Sequence, residues 1–151
     1  MKKEFVIRGQ TASGTTDILE FGGKTKENKN MAYRLVQFVL YPSTNIGNVN
    51  EELCATISSG KTAITPTDPN FNDDALIATA SLQCHSSMFY PTDSLSVVDD
   101  TFLITQNLIL MVQETSGGNT PINWQCKFKA VKMTDAETAV TNYKQFTIFD
   151  G

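Results

Sequence analysis

The sequence is short of the residues that most site chemistry draws on. It holds one His, one Trp and three Cys in 151 residues, and its 12 Lys+Arg fall below its 16 Asp+Glu. A lone histidine, His85, cannot supply the two or three imidazoles that a jelly-roll transition-metal centre uses, which excludes metal oxygenases and isomerases of that kind. Cys54, Cys84 and Cys126 lie far apart with no CxxC pair. An odd count at wide spacing excludes a disulfide framework and a zinc ribbon, and predicts reduced thiols packed as small apolar groups. No Asn-x-Ser/Thr sequon occurs, so nothing marks a glycosylated surface.

Long hydrophobic runs are missing as well. The longest spans residues 108–112, against the roughly 20 residues that cross a bilayer. After Met1-Lys2-Lys3 only Phe5-Val6-Ile7 precedes Arg8, too short for the apolar region of a signal peptide. The expectation is a chain without a membrane span, made in the cytoplasm and leaving it by lysis or assembly. The net charge is −4 with no basic block: Lys24, Lys26 and Lys29 are interrupted by Glu27. Neutralising a phosphate backbone takes several convergent cations, so no direct nucleic-acid contact is expected. No Gly-rich phosphate loop joins a strand to a helix either, and no cofactor is implied.

What the sequence has is a period of two. Trp124, Cys126, Phe128 and Ala130 alternate with Gln125, Lys127 and Lys129, a half-buried strand with one wet face. Phe102, Ile104, Leu108, Leu110 and Val112 share one face of a second segment. Residues 31–41 place Tyr33, Leu35 and Val39 on one side and Val36, Phe38 and Leu40 on the other, the pattern of a central strand covered on both sides. Shorter strands are expected at 4–8, 17–21, 53–58, 76–82, 83–89, 95–98 and 143–149, rich in β-branched residues. Gly and Pro clusters separate them, and residues 116–121 read as a hairpin loop. Thr134-x-x-Glu137 is a capping box, predicting one short helix over 135–142. At roughly 100–200 residues per domain, this is a single domain over 1–151, an all-β sandwich or barrel.

Candidate chemistry is sparse. His85 has Cys84 and Ser86 as chain neighbours, but successive strand residues face opposite sides, so neither is its local nucleophile. Asp68, Asn70, Asn72 and Asp73 space oxygen ligands like the opening of a calcium loop. The sixth position is then Asp73 where a Gly makes the sharp turn, and the twelfth is Thr79 where a Glu would be bidentate. The competing reading is a loop of Asx turns anchored by Phe71. Asp99-Asp100 closes a strand as a solvated end, with no second acidic cluster to complete a glycosidase pair. Tyr33, Phe38, Tyr41, Phe89, Tyr90 and Trp124 would stack on sugars where exposed and fill the core where not.

Four stretches, taken in order, resemble a known group. They are Tyr33-Arg34-Leu35-Val36-Gln37-Phe38 running into Tyr41-Pro42-Ser43, the run from Asp68 to Ala78, Val97-Val98-Asp99-Asp100-Thr101-Phe102-Leu103-Ile104 with the strand at Ile109, and the closing segment 136–146. Together they resemble small virion structural, capsid-associated proteins of marine bacteriophages. That resemblance implies a jelly-roll-like sandwich serving as a capsid, decoration or appendage protein in the virion, assembled in the host cytoplasm. It carries no set of active-site residues, and no enzymatic activity is expected. Partners would be other copies of the chain, as a trimer or pentamer, and other capsid proteins. Contacts are expected at loops 44–50 and 65–74, through Asn45, Asn48, Asn50, Pro69 and Phe71. The alternative is a receptor- or glycan-binding module on an appendage, which requires exposed Tyr, Trp or Asn converging on one concave patch. A third class, a hydrolase or isomerase, would rest on His85 and scattered carboxylates.

Overall fold

The alternating segments assemble into two antiparallel sheets. A computed structural model describes residues 4–21, 31–44, 50–60, 62–84 and 94–132, and every regular element among them is a strand. In chain order these are β1 (Glu4–Thr11), β2 (Thr16–Leu19), β3 (Met31–Pro42), β4 (Glu51–Ser59), β5 (Leu76–Cys84), β6 (Ser94–Val98), β7 (Leu108–Glu114) and β8 (Ile122–Lys132). One sheet runs β1-β8-β3 and the other β2-β7-β4-β5-β6. The predicted helix at 135–142, the strand at 143–149, His85, Asn45 and Asn48 lie outside the described residues.

Inward rows of the two sheets make the core. On the three-stranded sheet Phe5, Phe128 and Leu35 share a row, followed by Ile7, Cys126 and Phe38, then Gly9, Trp124 and Leu40. Facing them are Leu108, Leu110 and Val112 of β7 with Leu53, Ala55 and Ile57 of β4, all buried. Sealing one end is an aromatic cluster. Phe21 meets Phe128 edge-on at 4.8 Å between ring centroids and Tyr33 at 5.2 Å, while Phe5 stacks on Phe128 at 5.5 Å. Each such pair contributes about 0.5–1.5 kcal/mol beyond area burial. Asn107 Oδ1 accepts the Phe21 N–H at 2.6 Å, which fixes the chain where β2 ends. Trp124 Nε1–H donates to Thr11 Oγ1 at 2.9 Å, so the buried indole has its polar atom satisfied. Gly9 has to be small because a Cβ there would stand 2.9 Å from the Trp124 ring.

Four expectations are corrected by these sheets. Residues 31–41 are not a central strand covered on both sides: β3 ends the order of its sheet, and one of its faces is wet. Its register slips between Leu35 and Gln37, leaving Val36 as a bulge residue. One extra residue reverses the phase, so Tyr33 and Leu35 point inward before the bulge and Phe38 and Leu40 after it. Val36 and Val39 are thereby exposed.

Residues 116–121 are not a hairpin loop. They leave β7 in one sheet and enter β8 in the other, so they form a corner across the sandwich. The segment 102–112 is not one strand either. Regular pairing begins at Leu108, and Ile104 reaches Tyr33 through an isolated bridge with N–H···O distances of 3.0 and 2.8 Å. Likewise β5 continues unbroken to Cys84 across the expected break at Gln83.

Candidate functional site

The predicted contact residues separate. Asn50 sits at the entrance to β4 and its carbonyl accepts the Ser116 hydroxyl at 3.2 Å. Pro69 and Phe71 lie in the loop before β5, next to the other end of the β4–β5 pair. Nine strand residues separate these ends, a span of roughly 30 Å at 3.3 Å per residue. Asn50 and Phe71 therefore belong to different surfaces.

The loop from Asp68 to Asp74 folds on its own side-chain oxygens. Asn70 Oδ1 accepts the Asn72 N–H at 3.0 Å, and Asp73 Oδ1 accepts the Ala75 N–H at 2.9 Å. These are Asx turns, the local bonding that short polar side chains offer a bending backbone. Among the described residues no group of three or more His, Cys, Asp or Glu is placed to hold a metal ion. Phe71 is no anchor: it is 65% exposed. Its ring instead borders a shallow depression of about 130 Å³ shared with Leu76, Thr79, Val97 and Asp99. Asp99 and Asp100 are solvated, and Asp99 Oδ1 accepts both the N–H and the hydroxyl of Thr101.

That depression is the edge of a wider surface that sequence reasoning missed. On the outer side of the five-stranded sheet, one row runs Thr16–Met111–Thr56–Thr79–Val97. A second runs Gln113–Cys54–Ser81–Leu95, and a third joins Ile18, Ile109 and Ser58. These three rows carry no charged side chain, but the next outward row pairs Glu52 with Gln83. Thr56 and Ser58 in the middle of the face are fully buried, with Thr56 Oγ1 donating to the Ile64 carbonyl. Ile18, Leu95 and Val97 are exposed at 57, 64 and 43%. The available signal was Leu95-Ser96-Val97, where the apolar residues take the wet phase of an edge strand. The outer side of the other sheet is different, carrying Glu4, Arg8, Lys127 and Lys129 on its rows, with Lys127 Nζ 3.3 Å from Glu4 Oε2.

One buried carboxylate organises the corner between the sheets. Glu114 ends β7 pointing inward, 3% exposed. Its Oε1 accepts the N–H groups of Ser116 at 2.7 Å and Glu52 at 3.2 Å, together with the Ser116 hydroxyl. Its Oε2 accepts the N–H groups of Gly118 at 2.8 Å and Asn119 at 3.0 Å. Gly117 and Asn119 take positive φ, 101° and 51°, which turns these N–H groups toward the carboxylate. Burial works against the charged form, but the bonds from Ser116, Glu52 and Asn119 outweigh it and hold the carboxyl below the ordinary glutamate value. This is an architectural use of a carboxylate, since the hydrogen bonds it accepts come from the turn that follows it and from the start of β4.

Two thiols, those of Cys54 and Cys126, lie among the described side chains. Cys126 is fully buried, which pushes its thiol well up; Cys54 is half-buried and is pushed up to about 11 by burial and by the charges of Glu114 and Glu52. Of the six aromatics considered for sugar stacking, Tyr33, Phe38 and Trp124 are core and Tyr41 is 60% exposed. Phe89 and Tyr90 lie outside the described residues. Among the described residues no helix is long and apolar enough to cross a membrane.

Comparison with known proteins returns little. No family model and no curated protein matches the chain. Among solved structures it is similar to one described as Nora virus structure, at 12% identity and a TM-score of 0.33, over 87% of this chain. The match spans 57% of that other chain's length.

Proposed function

We propose that this chain is a structural protein of a virion, a bacteriophage capsid or decoration component without enzymatic activity that is assembled in the host cytoplasm. It self-associates and docks on the shell through the outer side of the five-stranded sheet. The observation that carries this reading is the exposed apolar pair Leu95 and Val97 on the edge strand β6, next to the exposed Phe71 ring. Exposed apolar side chains gathered along one sheet edge make a surface that a partner can bury. The resemblance to phage virion proteins supplies the setting.

The strand pairing supports a jelly roll in particular. β1 pairs with β8, β2 with β7 and β4 with β5, and β3 lies against β6. Three of the four nested pairs of a rolled antiparallel ribbon are thus hydrogen-bonded, while β6 pairs with β5 and faces β3 across the sandwich.

Light scattering on the purified chain across a dilution series tests the proposal. The expected result is a trimer or pentamer, reduced to monomer in Leu95→Lys/Val97→Lys. An unaltered mass in that variant, or a wild-type monomer that does not sediment with capsid shells, overturns it.

A further inference from the structure

The outer side of the three-stranded sheet carries a second surface with different chemistry. Two adjacent rows, Arg8–Gln125–Val39 and Gln10–Asn123–Tyr41, lie one side-chain repeat apart, roughly 7 Å. Between them is an open depression of about 610 Å³ lined by Arg8, Val39, Tyr41, Asn123 and Gln125, with Gly9 and Trp124 beneath. That volume lies within the range of small-molecule sites. Tyr41 offers an aromatic ring that is 60% exposed although its chain neighbours Leu40 and Pro42 are buried.

The polar groups around the ring are held in place. Gln10 Nε2 donates to Asn123 Oδ1 at 2.9 Å, and Asn123 Nδ2 donates to the Pro42 carbonyl at 3.4 Å. The amide plane beside Tyr41 is thus set before any ligand arrives, which lowers the entropy lost on binding. Arg8 is exposed and makes no ion pair among the described residues, although the chain as a whole has an acidic excess. An exposed guanidinium diagonally across the depression from an aromatic ring, with fixed amides between them, matches one ligand chemistry. The ring takes the C–H face of a pyranose, the amides take hydroxyls, and the Arg fork takes a carboxylate in bidentate fashion.

We propose that this depression binds an acidic saccharide, a sialic- or uronic-acid-bearing glycan, through Tyr41 and Arg8. The site lies on the sheet opposite the self-association surface, so it stands independently of that reading.

The test is a printed array of sialylated, uronate-containing and neutral glycans probed with the full chain, followed by calorimetric titration of the best acidic oligosaccharide and its neutral counterpart. The wild type is expected to bind the acidic glycan saturably and to lose about tenfold or more on removal of the carboxylate. Tyr41→Ala and Arg8→Gln should each weaken binding by a similar factor while melting as the wild type does, and Tyr41→Trp should retain it. No acidic glycan bound on the array overturns the proposal. So does binding indifferent to Tyr41→Ala. Equal affinity for single-stranded DNA that survives Tyr41→Ala and vanishes in salt also overturns it, by making the face a general anion surface.

Discussion

Replacing Glu114 by Gln should be among the most damaging changes of a single polar atom in this molecule. The carboxylate accepts five hydrogen bonds, three at Oε1 and two at Oε2. An amide can present oxygen on one side only, so at least the Gly118 and Asn119 N–H groups would face an NH2 group. Bonds to a charged acceptor are worth about 1.5–3 kcal/mol each, and a donor left facing another donor costs about 1–3 kcal/mol. Gly118 and Asn119 are exposed, so water recovers part of this, and the net loss is about 2–4 kcal/mol. For a chain of this size that lowers Tm by about 5–15 °C. Urea or thermal unfolding measures it directly. The same experiment has a pH signature, because the folded carboxyl lies below the ordinary value of 4.5. Its stabilisation is complete above pH 4.5 and is lost as pH falls through the lower folded value. Glu114→Gln lacks that stabilisation at every pH, so the two melting profiles converge in acid. A loss under about 0.5 kcal/mol at pH 7, or a gap that persists unchanged at pH 3, would refute the assigned role.

Three further outcomes follow from the packing. Gly9→Ala puts a methyl against the Trp124 ring, whose Cζ2 is 2.9 Å from the new atom; overpacking of that kind should destabilise by about 1–3 kcal/mol, checked by denaturant titration. Phe21→Ala opens the aromatic cluster at its fully buried centre and should cost about 3–5 kcal/mol, with loss of near-ultraviolet dichroism on mild heating. Cys54, with its thiol pushed up to about 11, should react with iodoacetamide at pH 8 about a hundredfold more slowly than free cysteine. Peptide-resolved labelling reads this, and a rate equal to that of the free amino acid would contradict it.

Much of the sandwich was legible because half-buried strands write their two faces into alternate residues. Trp124, Cys126, Phe128 and Ala130 read correctly for that reason, as did Leu108, Leu110 and Val112. The failures have physical causes. Val36 is apolar and sits among apolar neighbours, so nothing local announces a bulge, and strict alternation put Val39 on the wrong side. A turn of Gly, Asn and Pro at 116–121 reports that the chain bends and not which sheet it enters next; the Glu114 carboxylate that fixes the corner is an ordinary acidic residue until its partners are assembled. The candidate surface was missed for a related reason. Leu95 and Val97 resemble core residues in sequence, and only the pairing of β6 with β5 puts them outside. Tyr41 and Gln10 are brought together on Asn123, which lies more than 80 residues further along the chain than either, beyond what periodicity encodes.

The central claim is that copies of this chain meet through the outer side of the five-stranded sheet. A photoactivatable benzophenone side chain at position 97, followed by mass spectrometry of the cross-linked peptides, tests it most directly. The account predicts covalent dimers joined between β6 of one copy and β2, β6 or β7 of another. Joins that fall on β1, β3 or β8, or an absence of joined copies at concentrations where light scattering finds an oligomer, would contradict it.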